Sequence, residues 1–235
     1  MVIEIRELTF RWQPHAPWGL TIKALTVAPG ERLFIKGPSG SGKSTLLSLI
    51  SGVTTATAGS VRVMGQPLEQ LGRVERDHVR AHHIGYIFQM FNLIPYLSVL
   101  DNVTLPCRFS ARRRAKARAR SRSLEAEARR LLQQLDMNAP DLQRRAVTTL
   151  SVGQQQRVAA ARALMGAPEV LIADEPTSAL DADRRESFMR LLFDECRDSG
   201  AALVCVSHDA ALESLFDRTL DLAAVNAAAK EKELD

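Results

Sequence analysis

The stretch GPSGSGKST, from Gly37 to Thr45, decides the fold. It follows an apolar run, RLFIKG, and precedes a helix-favouring run, KSTLLSLISG, that closes on Gly52. The spacing fits G-x-x-x-x-G-K-[ST], and the context between a predicted strand and a predicted helix makes the match specific. Glycines let the backbone form a concave nest whose N–H groups, with the N-terminus of the helix, face phosphate oxygens. The stretch therefore predicts a phosphate-binding loop in which Lys43 reaches the outer phosphates and Ser44 ligates Mg²⁺.

Alternating helical and apolar patterns extend the fold beyond this loop. Two helical patterns follow, SVGQQQRVAAARALMG and RRESFMRLLFDECRDSG, and each precedes a short apolar run, EVLIAD or ALVCVSHD, typical of a buried strand. This order predicts a mostly parallel sheet with helices on both faces. Before the loop, apolar and polar residues alternate in VIEIRELTFRW and LTIKALTVAPG, which predicts antiparallel strands. The predicted fold class is α/β, a P-loop NTPase core with N-terminal antiparallel strands.

A segment of different composition interrupts the α/β pattern. Its second half, ARRRAKARARSRSLEAEARRLLQQLDM, mixes alanine, arginine and leucine as helices do. We predict an inserted α-helical subdomain at about residues 93–164 and a nucleotide-binding core at about 1–92 and 165–225. A tail is predicted at 226–235, and the whole chain is expected to be a single domain.

Composition excludes several classes of protein. Of 235 residues, 46% are hydrophobic and 25% are charged, which suits a sizeable core and excludes a disordered or fibrous chain. No run approaches the roughly 18 apolar residues of a membrane-spanning helix. Glu4 and Glu7 lie where a secretory signal carries basic and then apolar residues, so a cytosolic protein is expected. Neither a disulfide framework nor a zinc site is expected from Cys107, Cys196 and Cys205, which form no CxxC pair.

The net charge of +4 comes from one segment. Between Arg108 and Arg122 the chain carries eight basic residues and no acid, and without them the net charge would be −4. Such a run is most often a solvated helix face. Contact with anionic lipid headgroups or with a membrane protein is the alternative.

A second motif, VLIADEP at Val170 to Pro176, ends an apolar run in two adjacent carboxylates. In a parallel sheet, Asp174 and Glu175 would lie at the carboxyl edge of a buried strand, where ligands collect. Asp174 suits the Mg²⁺ shell, and Glu175 suits polarising the attacking water. The plainer interpretation is a strand that ends in acids at a solvent edge, and the phosphate loop favours the functional interpretation.

A third motif, LSVGQQQRVAAARAL, places Ser151 and Gly153 just before a helix. Its backbone amides and the Ser151 hydroxyl would form another anion-binding helix N-terminus. An ordinary serine-capped helix is the alternative.

Taken together, the chain resembles the ATP-binding subunit of an ABC transporter, because it carries GPSGSGKST, LSVGQQQRVAAARAL, VLIADEPTSALD and VCVSHD in this order. The resemblance covers nearly the whole chain and implies an ATP hydrolase that uses ATP and Mg²⁺. In it, Asp174 is the Mg²⁺ residue and Glu175 the catalytic base. The residues implied in phosphate binding are Gly37, Pro38, Ser39, Gly40, Ser41, Gly42, Lys43, Ser44 and Thr45.

The resemblance also implies roles for residues outside the loop. Gln89 would touch Mg²⁺ or the water and sense the transmembrane partner. His208 would contact the γ-phosphate. Trp12 falls where the family has an aromatic that stacks on adenine, with Phe10 as the fallback.

Dimerisation is implied by the same resemblance. Ser151, Gly153 and Gln154 would complete the site of the opposite subunit, so that two chains enclose two ATP molecules head to tail. Asp181, in SALD, would reach across to the other subunit's phosphate loop. Val152 replaces the first glycine of the usual LSGGQ and restricts the backbone. Activity is expected to survive because Ser151 and Gly153 are retained.

Within the family, FQMFNLIPYLSVLDNVTLP resembles the subgroup that drives lipoprotein release, macrolide export and related envelope processes in bacteria. In that subgroup the permeases have few membrane helices and a large periplasmic part, which transmits motion across the membrane. The resemblance implies an integral-membrane permease as partner, a second copy of an ATP-binding subunit and a location on the cytoplasmic face of the inner membrane. No specific nucleic acid is expected.

Two other functions compete with this one. One is a soluble ABC ATPase acting on nucleic acid or ribosomes, which would use the basic segment. Such proteins usually have two cassettes in one chain, or a cassette with long coiled coils or zinc modules. This chain has one cassette and no sustained heptads. A regulatory ATP-binding switch with little turnover is disfavoured by the intact Glu175 and His208.

Overall fold

The computed structural model describes residues 1–137 and 139–228. They form two compact units, Met1–Arg80 with the described residues from Ala202 onward, and Ala81–Ala201. These boundaries differ from the sequence-based ones at about residues 92 and 165, because the strands that flank the helical insertion lie in the second unit with its helices.

The first unit contains an antiparallel and a parallel sheet. The antiparallel strands, in the order β2-β1-β4-β5, are β1 (Ile3–Phe10), β2 (Leu20–Val27), β4 (Ala58–Val63) and β5 (Gln66–Pro67). In the parallel sheet, β3 (Arg32–Lys36) lies between β8 (Ala202–Val206) and β9 (Arg218–Asp221). The helices of this unit are α1 (Lys43–Ile50), the start of α2 (Arg73–His83) and α9 (Leu222–Val225).

Hydrophobic patterning explains both sheets. The predicted alternation holds along β1, where Ile3, Ile5 and Leu8 are buried. It is broken at Glu7, which adopts φ 47°, and the register of β1 against β4 shifts between Arg6 and Thr9. This is a β-bulge, which places two residues of one strand opposite one of the other. By contrast, β8 is buried along its whole length, as expected of a parallel strand covered on both faces.

The second unit combines two parallel strands with the helical insertion. β6 (Ile84–Ile87) pairs with β7 (Val170–Asp174) in parallel, with Ile87 opposite Ala173. The helices are α3 (Val99–Thr104), α4 (Pro106–Phe109), α5 (Ala111–Ser121), α6 (Leu124–Gln134), α7 (Val152–Leu164) and α8 (Ala182–Ser199). Serine side chains cap α3, α5, α6 and α7, which satisfies backbone N–H groups that have no partner within the helix.

The sequence-based fold class is confirmed: the chain is α/β, with separate antiparallel and parallel sheets. The strand before the loop, the helix that stops at Gly52 and the helix-strand order of the C-terminal half lie where the sequence predicts. Of the predicted tail, residues 229–235 lie outside the described residues, while Asn226 and Ala228 are buried. Within the described residues, the helices are too short or too polar to span a membrane. All three cysteines, each a described residue, are buried and outside any disulfide.

The basic segment is more than a solvated face. Arg113 is 3% exposed and donates to the carbonyl oxygens of Met165 (2.7 Å), Ala163 (2.6 Å) and Ile84 (3.3 Å). Those carbonyls belong to the turn after α7, to α7 itself and to the start of β6. Arg113 therefore joins α5 to the strand and helix against which it packs.

Two more basic residues of α5 converge on one carboxylate, that of Glu169. Arg112 Nη2 and Lys116 Nζ each lie 2.6 Å from Glu169 Oε1, and His83 Nδ1 lies 2.9 Å from Glu169 Oε2. Partial burial alone would raise the pKa of Glu169, but the hydrogen bonds from His83, Arg112 and Lys116 hold it well below its usual value. The carboxylate is ionised at neutral pH and fixes α5 to the segment before β7.

Glu169→Gln should therefore lower the free energy of unfolding at pH 7 by about 1–3 kcal/mol, the range for hydrogen bonds to a charged group. The folded pKa is depressed, so the stabilisation is present above the usual carboxyl pKa and is lost as pH falls below it. Denaturant unfolding at several pH values should show the gap between wild type and variant closing on acidification. Asp141→Asn, at an exposed ion pair with Arg145, is the control and should show a small, pH-insensitive effect. A gap that persists at low pH would contradict this account.

Candidate nucleotide site

The predicted phosphate loop links β3 to α1 in the first unit. Gly40 and Gly42 have φ values of 80° and 99°, which side chains rarely adopt. A Cβ on Gly42 would lie 2.9 Å from Leu20 Cδ2, and one on Gly37 would lie 2.7 Å from Ser41 Oγ. The glycines at 37 and 42 are thus required by close packing as well as by the backbone turn.

The helix that follows the loop has an open N-terminus. Gly42 is the N-cap of α1, no described side chain caps it, and its first turn contains no acidic residue. The first backbone N–H groups of a helix lack partners within the helix and carry a partial positive charge. The exposed hydroxyl of Ser44 and the half-buried Thr45 lie in the same turn. This terminus is suited to an anion.

Polar groups of the loop itself fit a polyphosphate. Lys43 Nζ donates to the carbonyl oxygens of Gly37 (2.6 Å) and Pro38 (2.8 Å), so its ammonium group arches over the loop. Ser41 Oγ is buried and has no hydrogen-bond partner among the described residues. A phosphate oxygen would give that hydroxyl an acceptor and would give Lys43 an anionic one. The residues present therefore fit the group that the sequence predicts.

His208 lies at the same edge of the sheet as this loop. β3 and β8 are parallel neighbours with Ile35 opposite Val206, and Ser207 N donates to Ile35 O at 3.3 Å. The loop leaves the carboxyl end of β3, and exposed His208 follows the carboxyl end of β8 by two residues. The first unit therefore brings these two predicted elements together.

The predicted adenine-stacking residue is accessible. Trp12 follows β1 and is 66% exposed, whereas Phe10 is 4% exposed and packs edge-on against Trp12 with 4.9 Å between ring centroids. A buried ring cannot offer a face to a base. Of the two aromatics that the sequence singled out, Trp12 has the available face.

A residue that the sequence did not single out, Asn226, holds the back of the loop. It is 2% exposed, and its Nδ2 donates to the carbonyl oxygens of Ser41 and Gly19, each at 3.3 Å. Its Oδ1 accepts from Thr21 N at 2.8 Å and from Ala228 N at 3.2 Å. One amide thus ties the segment after α9 to β2 and to the phosphate loop.

In the second unit, the parallel pair β6 and β7 brings the remaining catalytic candidates to one edge. Gln89 is exposed two residues past β6, Asp174 ends β7, and Glu175 follows it. Burial and the nearby Asp174 carboxylate raise the pKa of Tyr86 on β6 above its usual range, so its phenol is neutral. Within the described residues, His, Cys, Asp and Glu side chains form no cluster of three or more suited to a metal ion.

The turn that carries Glu175 is strained and braced. Glu175 adopts φ 47°, a conformation that is costly for a residue with a Cβ and that concentrates at functional sites. Ser178 N donates to Glu175 O at 3.2 Å, and Gln156 Nε2 donates to Pro176 O. Gln156 is fully buried on α7, so the helix that follows the third motif braces the turn of the acidic pair. The sequence analysis missed this contact.

The third motif forms the N-terminus of α7. Ser151 is its exposed N-cap, Ser151 Oγ accepts from Gln154 N at 3.3 Å, and Gln154 Oε1 accepts from Ser151 N at 2.9 Å. This reciprocal capping box is the plainer arrangement that the sequence left open. Val152 takes the first helical position with 51% of its surface exposed, so a β-branched residue is accommodated there. A Cβ on Gly153 would lie 3.7 Å from Leu180 Cδ2, an ordinary van der Waals distance.

Asp181 likewise caps a helix. Its Oδ1 accepts from Arg184 N at 3.1 Å at the start of α8, and its side chain is 61% exposed. Ser151, Gly153, Gln154 and Asp181 therefore lie with Gln89, Asp174 and Glu175 in the second unit, whereas Trp12, the loop and His208 lie in the first.

Comparisons with known proteins agree with these features. The family model described as "ABC transporter" matches residues 20–178. The chain is 42% identical over 208 residues to an uncharacterized ABC transporter ATP-binding protein, YbbA, of Escherichia coli K12, covering 86% of this chain and 85% of that protein. It is 38% identical over 202 residues to the macrolide export ATP-binding/permease protein MacB of Chromobacterium violaceum, covering 84% of this chain and 29% of that longer protein.

A solved structure adds a whole-fold match. It is described as a dimeric, post-hydrolysis state of the ATP-binding cassette MJ0796 bound to ADP and Pi. The match has a TM-score of 0.79 and 32% sequence identity, and it covers 94% of each chain. With the family model spanning more than half of the sequence, the chain belongs to the ABC transporter family and is an ATP hydrolase of the ABC type.

Proposed function

We propose that this protein is the ATP-hydrolysing subunit of a bacterial ABC transporter, peripheral on the cytoplasmic face of the inner membrane, where two copies close around two ATP molecules and drive an integral-membrane permease. The observation that carries the proposal is the phosphate loop. There the N-terminus of α1 and the Ser41 hydroxyl have no side-chain partner among the described residues, and Lys43 adds a positive charge, so all three suit phosphate oxygens. The dimeric state of the matched cassette supports pairing of two copies.

The proposal assigns a role to each site residue. Lys43 and the loop amides hold the phosphates, and Trp12 stacks on the base. Bound Mg²⁺, held by Ser44, Gln89 and Asp174, would neutralise charge that develops on the phosphate oxygens. Glu175 accepts a proton from the attacking water, as expected of a general base.

The remaining site residues complete the proposal. His208, at the edge shared with the loop, contacts the γ-phosphate. Ser151, which is exposed, serves the site of the second copy together with Gly153 and Gln154. Asp181 reaches that copy's phosphate loop. Since each site then needs both chains, ATP turnover per chain should rise with protein concentration.

Export, lipoprotein release or envelope mechanotransmission is the proposed role of the transporter. The similarity to a macrolide export ATP-binding/permease protein supports it. The competing proposal, a soluble ABC ATPase acting on nucleic acid or ribosomes, draws on the exposed arginines of α5. Purification of the tagged chain from solubilised membranes, with Glu175→Gln and ATP to trap the closed dimer, separates the two. Recovery of a permease with a large periplasmic domain supports the transporter, and recovery of ribosomes or nucleic acid without a membrane protein overturns it.

Lys43→Ala should weaken ATP binding by about 10- to 100-fold, the equivalent of one charge-assisted contact of about 1.5–3 kcal/mol. The charge is lost from the loop, while the backbone turn set by the glycines stays. Titration with a fluorescent ATP analogue measures the effect. Lys23→Ala, on the exposed face of β2, is the control and should bind normally. Normal ATP binding by Lys43→Ala would remove Lys43 from the phosphate site.

Asn226→Ala should raise the KM for ATP several-fold, with a smaller change in kcat, because the carbonyl of Ser41 loses the amide that holds it. The buried partners left unpaired should also lower the free energy of unfolding by about 1–3 kcal/mol. Asn226→Asp keeps the acceptor but loses the donor and adds a negative charge behind the loop, so its KM should rise further. Steady-state kinetics at several ATP concentrations give KM and kcat for both variants. Reduced stability with an unchanged KM in both variants would show that Asn226 only anchors the C-terminal segment.

A further inference from the structure

The exposed surface of α5 carries positive charge that the protein leaves unbalanced. Outside the residues bound to Glu169 or buried, four arginines remain on α5 and its C-cap: Arg114, Arg118, Arg120 and Arg122. They are called here the arginine group. None of the four forms an ion pair with a described residue, and Arg118, Arg120 and Arg122 are exposed.

The arginines of α8, in contrast, are paired with acidic residues. Each of Arg184, Arg190 and Arg197 has an acid about one turn away, at Asp181, Glu186 and Asp194. In the arginine group, by contrast, Arg118 has another arginine four residues away on each side, at Arg114 and Arg122. Like charges at this spacing destabilise a helix. On a face that contacts only water, such an arrangement does not stabilise the protein. An anionic partner would neutralise the like charges and bind to them.

We propose that the arginine group binds the phosphate-bearing surface of an anionic phospholipid bilayer. Arginine matches phosphate oxygens with two parallel hydrogen bonds, and clusters of four to eight basic residues on a helix attract anionic lipid surfaces. Apart from its basic residues, ARRRAKARARSR contains only alanine and serine, which do not extend beyond the guanidinium groups. The helix therefore offers charge without a large apolar face, so it would lie on the headgroups without inserting.

The placement of α5 favours a bilayer over nucleic acid. One side of the helix is buried at Arg113 and Ala117, so a single face is available. A planar surface needs one face, whereas the major groove of DNA takes up a whole helix. Single-stranded nucleic acid is usually held by aromatic side chains among the basic ones, and residues 111–122 contain none.

Vesicle flotation tests the proposal. Wild-type protein should bind vesicles that contain phosphatidylglycerol, should bind phosphatidylcholine vesicles poorly, and should be released as salt is raised from about 0.05 M to about 0.5 M. Arg118→Gln/Arg120→Gln/Arg122→Gln should partition about 100-fold less, at roughly fivefold for each arginine near an anionic surface. The matched control removes the same charge from other exposed helix positions, Arg73→Gln/Arg190→Gln/Arg197→Gln, and should bind almost as wild type.

Three outcomes would overturn the proposal: no phosphatidylglycerol binding by wild type, an equal loss in both triple variants, or preferential binding of a short DNA duplex offered at the same phosphate concentration. Replacement of the same three arginines by lysine should keep most of the binding, which separates loss of charge from misfolding. ATP turnover in solution, measured on the same samples, is independent of this surface. A wild-type protein that hydrolyses ATP but ignores the vesicles refutes the lipid surface and leaves the proposed function standing.

Discussion

Glu175→Gln should lower ATP turnover by about 10²–10⁴-fold while leaving ATP binding intact, the range for loss of a general base. The change removes the group that accepts the proton and keeps the size of the side chain. It also keeps the hydrogen bonds that the backbone carbonyls of the turn accept, from Ser178 N to Glu175 O and from the Gln156 side chain to Pro176 O. Single-turnover phosphate release and ATP titration on the same protein separate chemistry from binding.

A matched control makes this result specific. Glu186→Gln is the same substitution at an exposed glutamate of α8 that pairs with Arg190, and it should leave turnover unchanged. Undiminished turnover in Glu175→Gln would remove Glu175 from the role of base. A loss of ATP binding instead would mean that the strained turn at φ 47° collapses when its carboxylate is replaced.

The sequence predicts the parts of the site that depend on residues adjacent along the chain or on the ends of recognisable strands. The phosphate loop is one, because glycines at 37, 40 and 42 permit its backbone and the flanking strand and helix are readable from adjacent residues. The placement of Gln89 at the same sheet edge as the acidic pair follows from two buried apolar runs that form neighbouring parallel strands. The position of His208 beside the loop follows in the same way.

Contacts between distant residues escaped prediction because nothing in the local pattern marks them. Asn226 lies in an alanine-rich stretch that resembles a tail, yet its amide reaches Ser41, 185 residues away. Gln156 is one of three successive glutamines, and nothing in the sequence marks it as the one that is buried against Pro176. The basic run of α5 is a third case. Its sequence does not distinguish the arginines that are buried or ion-paired from those that are exposed.

Arg113 is the residue of that run whose replacement should be most destabilising. Its guanidinium donates to three buried carbonyl groups, at Met165, Ala163 and Ile84. Burial lowers the pKa of Arg113 to about 10, so the group stays charged at neutral pH. The packing is tight as well, because a Cβ on Gly166 would lie 2.6 Å from Arg113 Cβ. No other side chain can supply donors in this fork geometry.

Arg113→Met should therefore lower the free energy of unfolding by about 3–5 kcal/mol, because it keeps the apolar stem and leaves three buried carbonyl groups without donors. Arg118→Met, five residues along the same helix but exposed, is the control and should change it by less than about 0.5 kcal/mol. Denaturant unfolding followed by circular dichroism compares the two. Since the two substitutions alter charge and helix propensity equally, the difference between them measures the buried hydrogen bonds. Equal stabilities would mean that water or a shifted helix satisfies those carbonyls once the guanidinium is gone.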